Sequence, residues 1–114
     1  MRYKEKQWFS ELRQNTKYCY YCGCFLHKKN FSTDHRIPKS KGGSNRKENI
    51  IICCKFCNEL KSDMSEEEFR DLFTVEEIQY LKTLSVKDRR KYLRTKRKNL
   101  KKTLNKKLDF DTEI

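Results

Sequence analysis

From Thr33 to Lys61 the chain reads T-D-H-R-I-P-K-S-K-G-G-S-N-R-K-E-N-I-I-I-C-C-K-F-C-N-E-L-K, and most of its reactive side chains lie within this stretch. Asp34 and His35 are adjacent, Asn49 opens an apolar run, and Cys54 and Cys57 form a C-x-x-C followed directly by Asn58. A second C-x-x-C, Cys19 and Cys22, lies upstream. Two such pairs can close a tetrahedral four-thiolate zinc site. Asp34, His35 and Asn58 are then left to gather around a different metal that prefers oxygen ligands. One metal would hold the fold and the other would do chemistry.

Cys24 and Cys53 each sit beside a C-x-x-C without completing a better one, and they read as spare thiols. Pairings through Cys22/Cys24 or Cys53/Cys57 are less comfortable for a single tetrahedral ion. His27 is the other substitute ligand, and a Cys3His site would take it more readily than His35. Disulfides are the competing reading of six cysteines in 114 residues. The charged start, Met1-Arg2-Tyr3-Lys4-Glu5-Lys6, has no secretory apolar stretch after it, which points to a reducing compartment and a cytoplasmic location, and so to zinc. No run approaches a membrane span.

Other elements must position these groups. With 35% apolar residues, 114 residues allow one small domain whose core needs a staple. Trp8, Phe9 and Leu12 are spaced for an amphipathic helix over residues 4–14, ending at Asn15-Thr16, with its apolar face on the zinc module. Tyr18 to Leu26 gives the first zinc knuckle, with Gly23 where the chain doubles back. Tyr20 and Tyr21 read as packing and sulfur-shielding residues rather than a base-stacking platform. A short strand is expected between Asn30 and Ile37, a loop from Pro38 to Asn45, and a strand at Asn49–Cys53. The second knuckle follows, and a helix carries Asn58 to about Ser62.

At this point the sequence resembles a known family. The run D-H-R-I-P-x-S-K-G-G-x(4)-E-N-I-I-I-C-C-x-x-C-N-x-x-K is similar to the core of the HNH endonucleases, in the branch with two zinc C-x-x-C pairs, over about residues 17–63. The resemblance implies an α+β fold: a small zinc-stabilised ββα-metal (His-Me finger) core with flanking helices. It implies that His35 is the general base and that Asp34 and Asn58 bind the catalytic cation. It gives Asn49 the role of bracing the loop and the histidine. Where Asn58 stands the family often has histidine, and the amide favours Mg2+ or Mn2+. The chemistry also holds without the name. Phosphodiester hydrolysis needs a positioned water, a base titrating near neutrality, as imidazole does, and positive charge at the phosphorane.

Adjacent residues on a regular strand point to opposite faces, so Asp34 and His35 share a site only if β geometry breaks there. Turn capping for Asn49 and helix N-capping for Asn58 are alternative roles that can coexist with the proposed ones. Lys61 reads equally as a phosphate contact or as a solvated lysine.

The composition changes after Asp63, which suggests a nuclease domain at 1–63 and a helical, basic extension at 64–114. Ser65-Glu66-Glu67-Glu68 and Thr74-Val75-Glu76-Glu77 read as capping boxes, and Ser85 to Asp88 as a third helix start, with that helix reaching about Leu108. Between Lys82 and Lys107 stand thirteen Lys or Arg against one acid, Asp88. On a chain of net charge +12 this points to a polyanion. The expected DNA contacts are Lys61, Arg89, Arg90, Arg94, Lys96, Arg97, Lys98, Lys101 and Lys102. A disordered solubilising tail and a dimer seam along Leu93, Leu100, Leu104 and Leu108 are the competing readings of this segment, and Asp109 to Glu113 reads as a frayed end. Function at this stage is divalent-metal-dependent DNA cleavage. The rival is a noncatalytic zinc-ribbon nucleic-acid binder, and a homodimer or a larger phage or restriction assembly stays open.

Overall fold

Three consecutive isoleucines followed by two cysteines make the most apolar segment of the chain, and in the computed structural model Ile50–Cys54 is a strand buried along its whole length (β2). The structure describes residues 2–112, with side chains over residues 2–103. β2 pairs antiparallel with β1, Phe31–His35, in the register Phe31 to Cys54, Asp34 to Ile51 and His35 to Ile50. Between them lie 3₁₀ turns at Lys39–Lys41 and Lys47–Asn49. Gly42 adopts φ 89°, and a Cβ on Gly43 would lie 1.7 Å from the Ile37 carbonyl oxygen. Only glycine lets the loop close there.

The expected 4–14 helix is split. A 3₁₀ turn at Tyr3–Glu5 precedes α1, Gln7–Asn15, because Lys6 is extended. α1 buries Phe9, while Trp8 and Leu12 are half-buried. Thr16 Oγ1 donates to the Leu12 carbonyl and closes the helix.

α2, Lys55–Lys61, starts earlier than expected, because the Cys54 side chain caps it by accepting from the Cys57 N–H. α3, Glu66–Leu72, begins with the full capping box of Ser65 and Glu68. Its Phe69 is buried edge-on against Tyr21 and tilted against Phe73. Glu66 N–H donates to the Arg36 carbonyl, and Arg36 and Arg70 both pair with the Glu66 carboxylate, so α3 is tied to the end of β1.

α4, Val75–Thr83, starts with Thr74 Oγ1 accepting from the Glu77 N–H, and α5, Val86–Thr112, with Ser85 Oγ accepting from the Asp88 N–H. The chain divides into two units, Met1–Gln79 and Tyr80–Ile114. In the first, the core joins the hairpin, Tyr21, Phe69, Phe73 and Ile78. In the second, the Tyr80 and Tyr92 rings meet edge to face, and Arg89 donates to the Leu81 and Leu84 carbonyls. Helix and one small antiparallel sheet make this an α+β chain, and no helix among the described residues is long and apolar enough to cross a membrane.

Candidate metal centre and active site

The upstream knuckle is a tight hairpin. Cys19 N–H donates to the Cys24 carbonyl, Leu26 N–H to the Lys17 carbonyl, and Gly23, at φ 79°, makes the turn. Cys19 Sγ accepts from the N–H groups of Tyr21, Cys22 and Cys54, so one sulfur joins both cysteine segments. The Sγ atoms of Cys19, Cys22, Cys24 and Cys54 all lie within 4.8 Å of one another. Cys22 and Cys54 are 3.9 Å apart, close to the roughly 3.8 Å edge of a tetrahedron with Zn–S bonds of about 2.3 Å. The donor set and its compactness fit zinc.

One assignment changes. Cys24, read as a spare thiol, belongs to this cluster, because the hairpin bond from Cys19 to Cys24 folds it back over the turn. Cys57 borders the same cluster. Hydrogen bonds to Cys19 and Cys54, then burial, push its thiol far up. Five sulfurs therefore converge where four were expected. Cys53 lies outside the cluster, fully buried on β2, where burial and the nearby Asp34 charge push its thiol up. Neither histidine joins the cluster.

The second group of polar residues is held by β1. Side chains alternate along a strand, so Ser32 and Asp34 share one face and Thr33 and His35 the other. The first face looks toward α2 and the knuckle. Asp34 Oδ2 accepts from Tyr21 Oη at 2.8 Å and pairs with Lys61 Nζ at 2.9 Å. Asn58 Nδ2 donates to Ser32 Oγ at 2.7 Å. Lys61 also donates to the His35 carbonyl at 2.9 Å. The Tyr21 hydroxyl is pushed up by its burial and by the Asp34 carboxylate it serves.

Lys61 is the clearest departure from expectation. It is 0% exposed, so it is neither a solvated lysine nor a surface contact for DNA. Its position one turn after Asn58 aims its stem back under β1, where Asp34 neutralises it.

On the other side, the His35 imidazole packs edge-on against the Tyr3 ring, with centroids 5.8 Å apart. Its Nε2 lies 2.8 Å from Asn45 Oδ1. An amide oxygen only accepts, so Nε2 is the donor in this bond. Asn49, 8% exposed, accepts from Ile37 N–H and donates to the carbonyls of Ile37 and Ser44. Bracing the loop and holding the imidazole therefore fall to two residues: Asn49 ties the loop, and Asn45, carried on that loop, meets the imidazole. Sequence reading missed Asn45, whose one signal was an amide beside the G-G turn.

Asp34, Tyr21 and Lys61 are in direct contact, and Asn58 meets the same face of β1 at Ser32, whereas the His35 imidazole lies on the other face, because β1 stays regular to its end, and joins this group only through its backbone carbonyl. On α5, Arg90, Arg94, Arg97, Lys98 and Lys101 are exposed and recur at intervals of three and four, which sets them on one helix face. Lys102 is also exposed, Lys96 is half-buried, and Arg89 is half-buried and engaged with the carbonyls of Leu81, in α4, and Leu84, just after it. The side chains of Leu104 and Leu108, and those of the Asp109–Glu113 end, lie outside the described residues.

Residues 19–74 match the family described as HNH endonuclease, which bears out the resemblance seen in the sequence. No curated protein matches the chain.

Proposed function

We propose that this chain, whose residues 19–74 are of the HNH endonuclease family, hydrolyses phosphodiester bonds of DNA with His35 as general base. The order β1, β2, α2 beside a thiol cluster supports a ββα-metal core within residues 1–63; of the basic extension proposed at 64–114, α3 packs with that core in the unit Met1–Gln79. The observation that carries the reading is the His35 to Asn45 hydrogen bond. It favours the neutral tautomer with its proton on Nε2 and so leaves Nδ1 as the nitrogen that can accept a proton at the end of β1. A water there would give its proton to Nδ1, and the resulting imidazolium would stay anchored through Nε2.

Asp34 and Asn58 supply the oxygen donors for a cation. Asp34 Oδ2 is used by Tyr21 and Lys61, and Asn58 uses its nitrogen for Ser32, so Oδ1 of each is the acceptor those bonds do not use. One carboxylate and one amide oxygen fit a hard ion such as Mg2+ or Mn2+. Such an ion supplies positive charge against the phosphorane and the leaving oxygen. Lys61 sets the carboxylate's orientation by taking its other oxygen. The exposed Arg90, Arg94, Arg97, Lys98 and Lys101 face serves the DNA backbone, adding salt-sensitive affinity with no base readout.

The test is nicking or cutting of supercoiled plasmid with Mg2+ or Mn2+. His35→Ala abolishes cleavage and keeps DNA binding. Equal activity in that variant removes His35 from the base role. Binding with no cleavage under any divalent cation supports a noncatalytic zinc-ribbon binder instead.

A further inference from the structure

Two aromatic side chains on the zinc knuckle take no part in the core. Tyr18 and Phe25 face each other across the isolated β-bridge of the hairpin, with ring centroids 6.1 Å apart at 73°. Each is 61% exposed, whereas Tyr21 on the same knuckle is 2% exposed. Their backbone is firmly held. The bonds from Cys19 to Cys24 and from Leu26 to Lys17 flank the pair, and Asn30 Nδ2 donates to the Phe25 carbonyl.

The segment that carries the pair has charges of one sign. Residues 12–33 contain Arg13, Lys17, Lys28 and Lys29 and no Asp or Glu. All four cations are exposed. An open cavity of about 470 Å³ is lined by residues that flank the pair in the chain, Thr16, Leu26, His27 and Lys28, together with Arg13 and Phe31. The Arg13 guanidinium lies 4.6 Å over the Phe31 ring at its wall.

The geometry points to a stacking platform: Tyr18 and Phe25 receive unpaired bases while Arg13, Lys17 and Lys28 hold the phosphates beside them, so the chain engages DNA bearing a single-stranded segment. Exposed rings on a segment whose only charged side chains are exposed cations match a polyanion made of flat bases. In a duplex those faces are covered by stacking, and only an unpaired base can lie on a protein ring. The ligand's identity as DNA rests on the proposed function. Binding is read without cleavage, so the platform and the nuclease reading can fail separately.

The experiment uses the zinc-loaded full chain with no added Mg2+ or Mn2+. Fluorescence anisotropy follows a labelled single-stranded DNA of about 12 nucleotides, within the span such sites cover, and the matching duplex. Tyr18→Ala with Phe25→Ala weakens single-strand binding by roughly tenfold or more and leaves duplex binding unchanged. Tyr18→Phe binds like the wild type. Lys28→Gln with Lys29→Gln weakens both ligands and flattens the salt dependence. If the double alanine variant loses its zinc, Tyr18→Leu with Phe25→Leu replaces it, keeping apolar bulk without a ring. Wild-type single-strand affinity in a zinc-loaded ringless variant overturns the platform. So does an equal loss for both DNA forms, or a wild-type dimer that the ringless variant turns into a monomer, which would make the pair a self-interface.

Discussion

Lys61 Nζ and Asp34 Oδ2 lie 2.9 Å apart, with the lysine side chain wholly buried and the carboxylate nearly so. The ammonium's second bond, to the His35 carbonyl, makes this pair the link between α2 and the end of β1. Burying either charge alone is far more costly than burying both.

Lys61→Met should therefore destabilise the fold by about 3–5 kcal/mol, since it removes the cation paired with the nearly buried Asp34 carboxylate and leaves that charge with the Tyr21 hydroxyl. Adding Asp34→Asn should recover part of that loss. Urea unfolding of the two single variants and the double variant measures the coupling, and additive effects would mean the pair is not an energetic unit.

Asn49 is a loop brace with three hydrogen bonds to Ile37 and Ser44. Asn49→Ala leaves those backbone groups unsatisfied and should cost about 2 kcal/mol. The same loop carries Asn45, so cleavage should slow more than stability alone explains. Plasmid nicking at a temperature where the variant is fully folded separates the two effects.

The thiol cluster predicts an unequal response to serine substitution. Cys19→Ser and Cys54→Ser should lose zinc and unfold, because structural zinc energy is folding energy. Cys24→Ser and Cys57→Ser decide which sulfur is the fourth ligand. The variant that retains about one zinc per chain identifies the bystander, by metal analysis after gel filtration.

Acid should release the α3 clamp. Burial pushes the Glu66 carboxyl up, but bonds from Tyr20, Arg36 and Arg70 outweigh it and hold the group below its ordinary value. A carboxylate depressed on folding stabilises above its unfolded pKa of about 4.3, and that contribution fades as pH falls through the lower folded value. The urea midpoint of the wild type should exceed that of Glu66→Gln at neutral pH. The gap between them should close in acid, and since both share the thiol cluster, their difference isolates Glu66. A gap independent of pH would remove Glu66 from the clamp.

The chain's local signals settled much on their own. β-Branched Ile50–Ile52 specified the buried strand, Ser65 and Glu68 the start of α3, the glycines the loop, and the C-x-x-C spacing each half of the thiol cluster, because each depends on neighbours within a few residues. Three assignments needed the tertiary structure. Whether Cys24 joins the cluster depends on how far the hairpin folds back, and whether Lys61 is solvent-facing or buried depends on α2 crossing beneath β1. That Asn45 and not Asn49 meets His35 is set by loop closure. Spacing along a chain fixes which face of an element a side chain occupies. Which partner that face meets is decided only when distant segments pack, since an ion pair across 27 residues has no local signature.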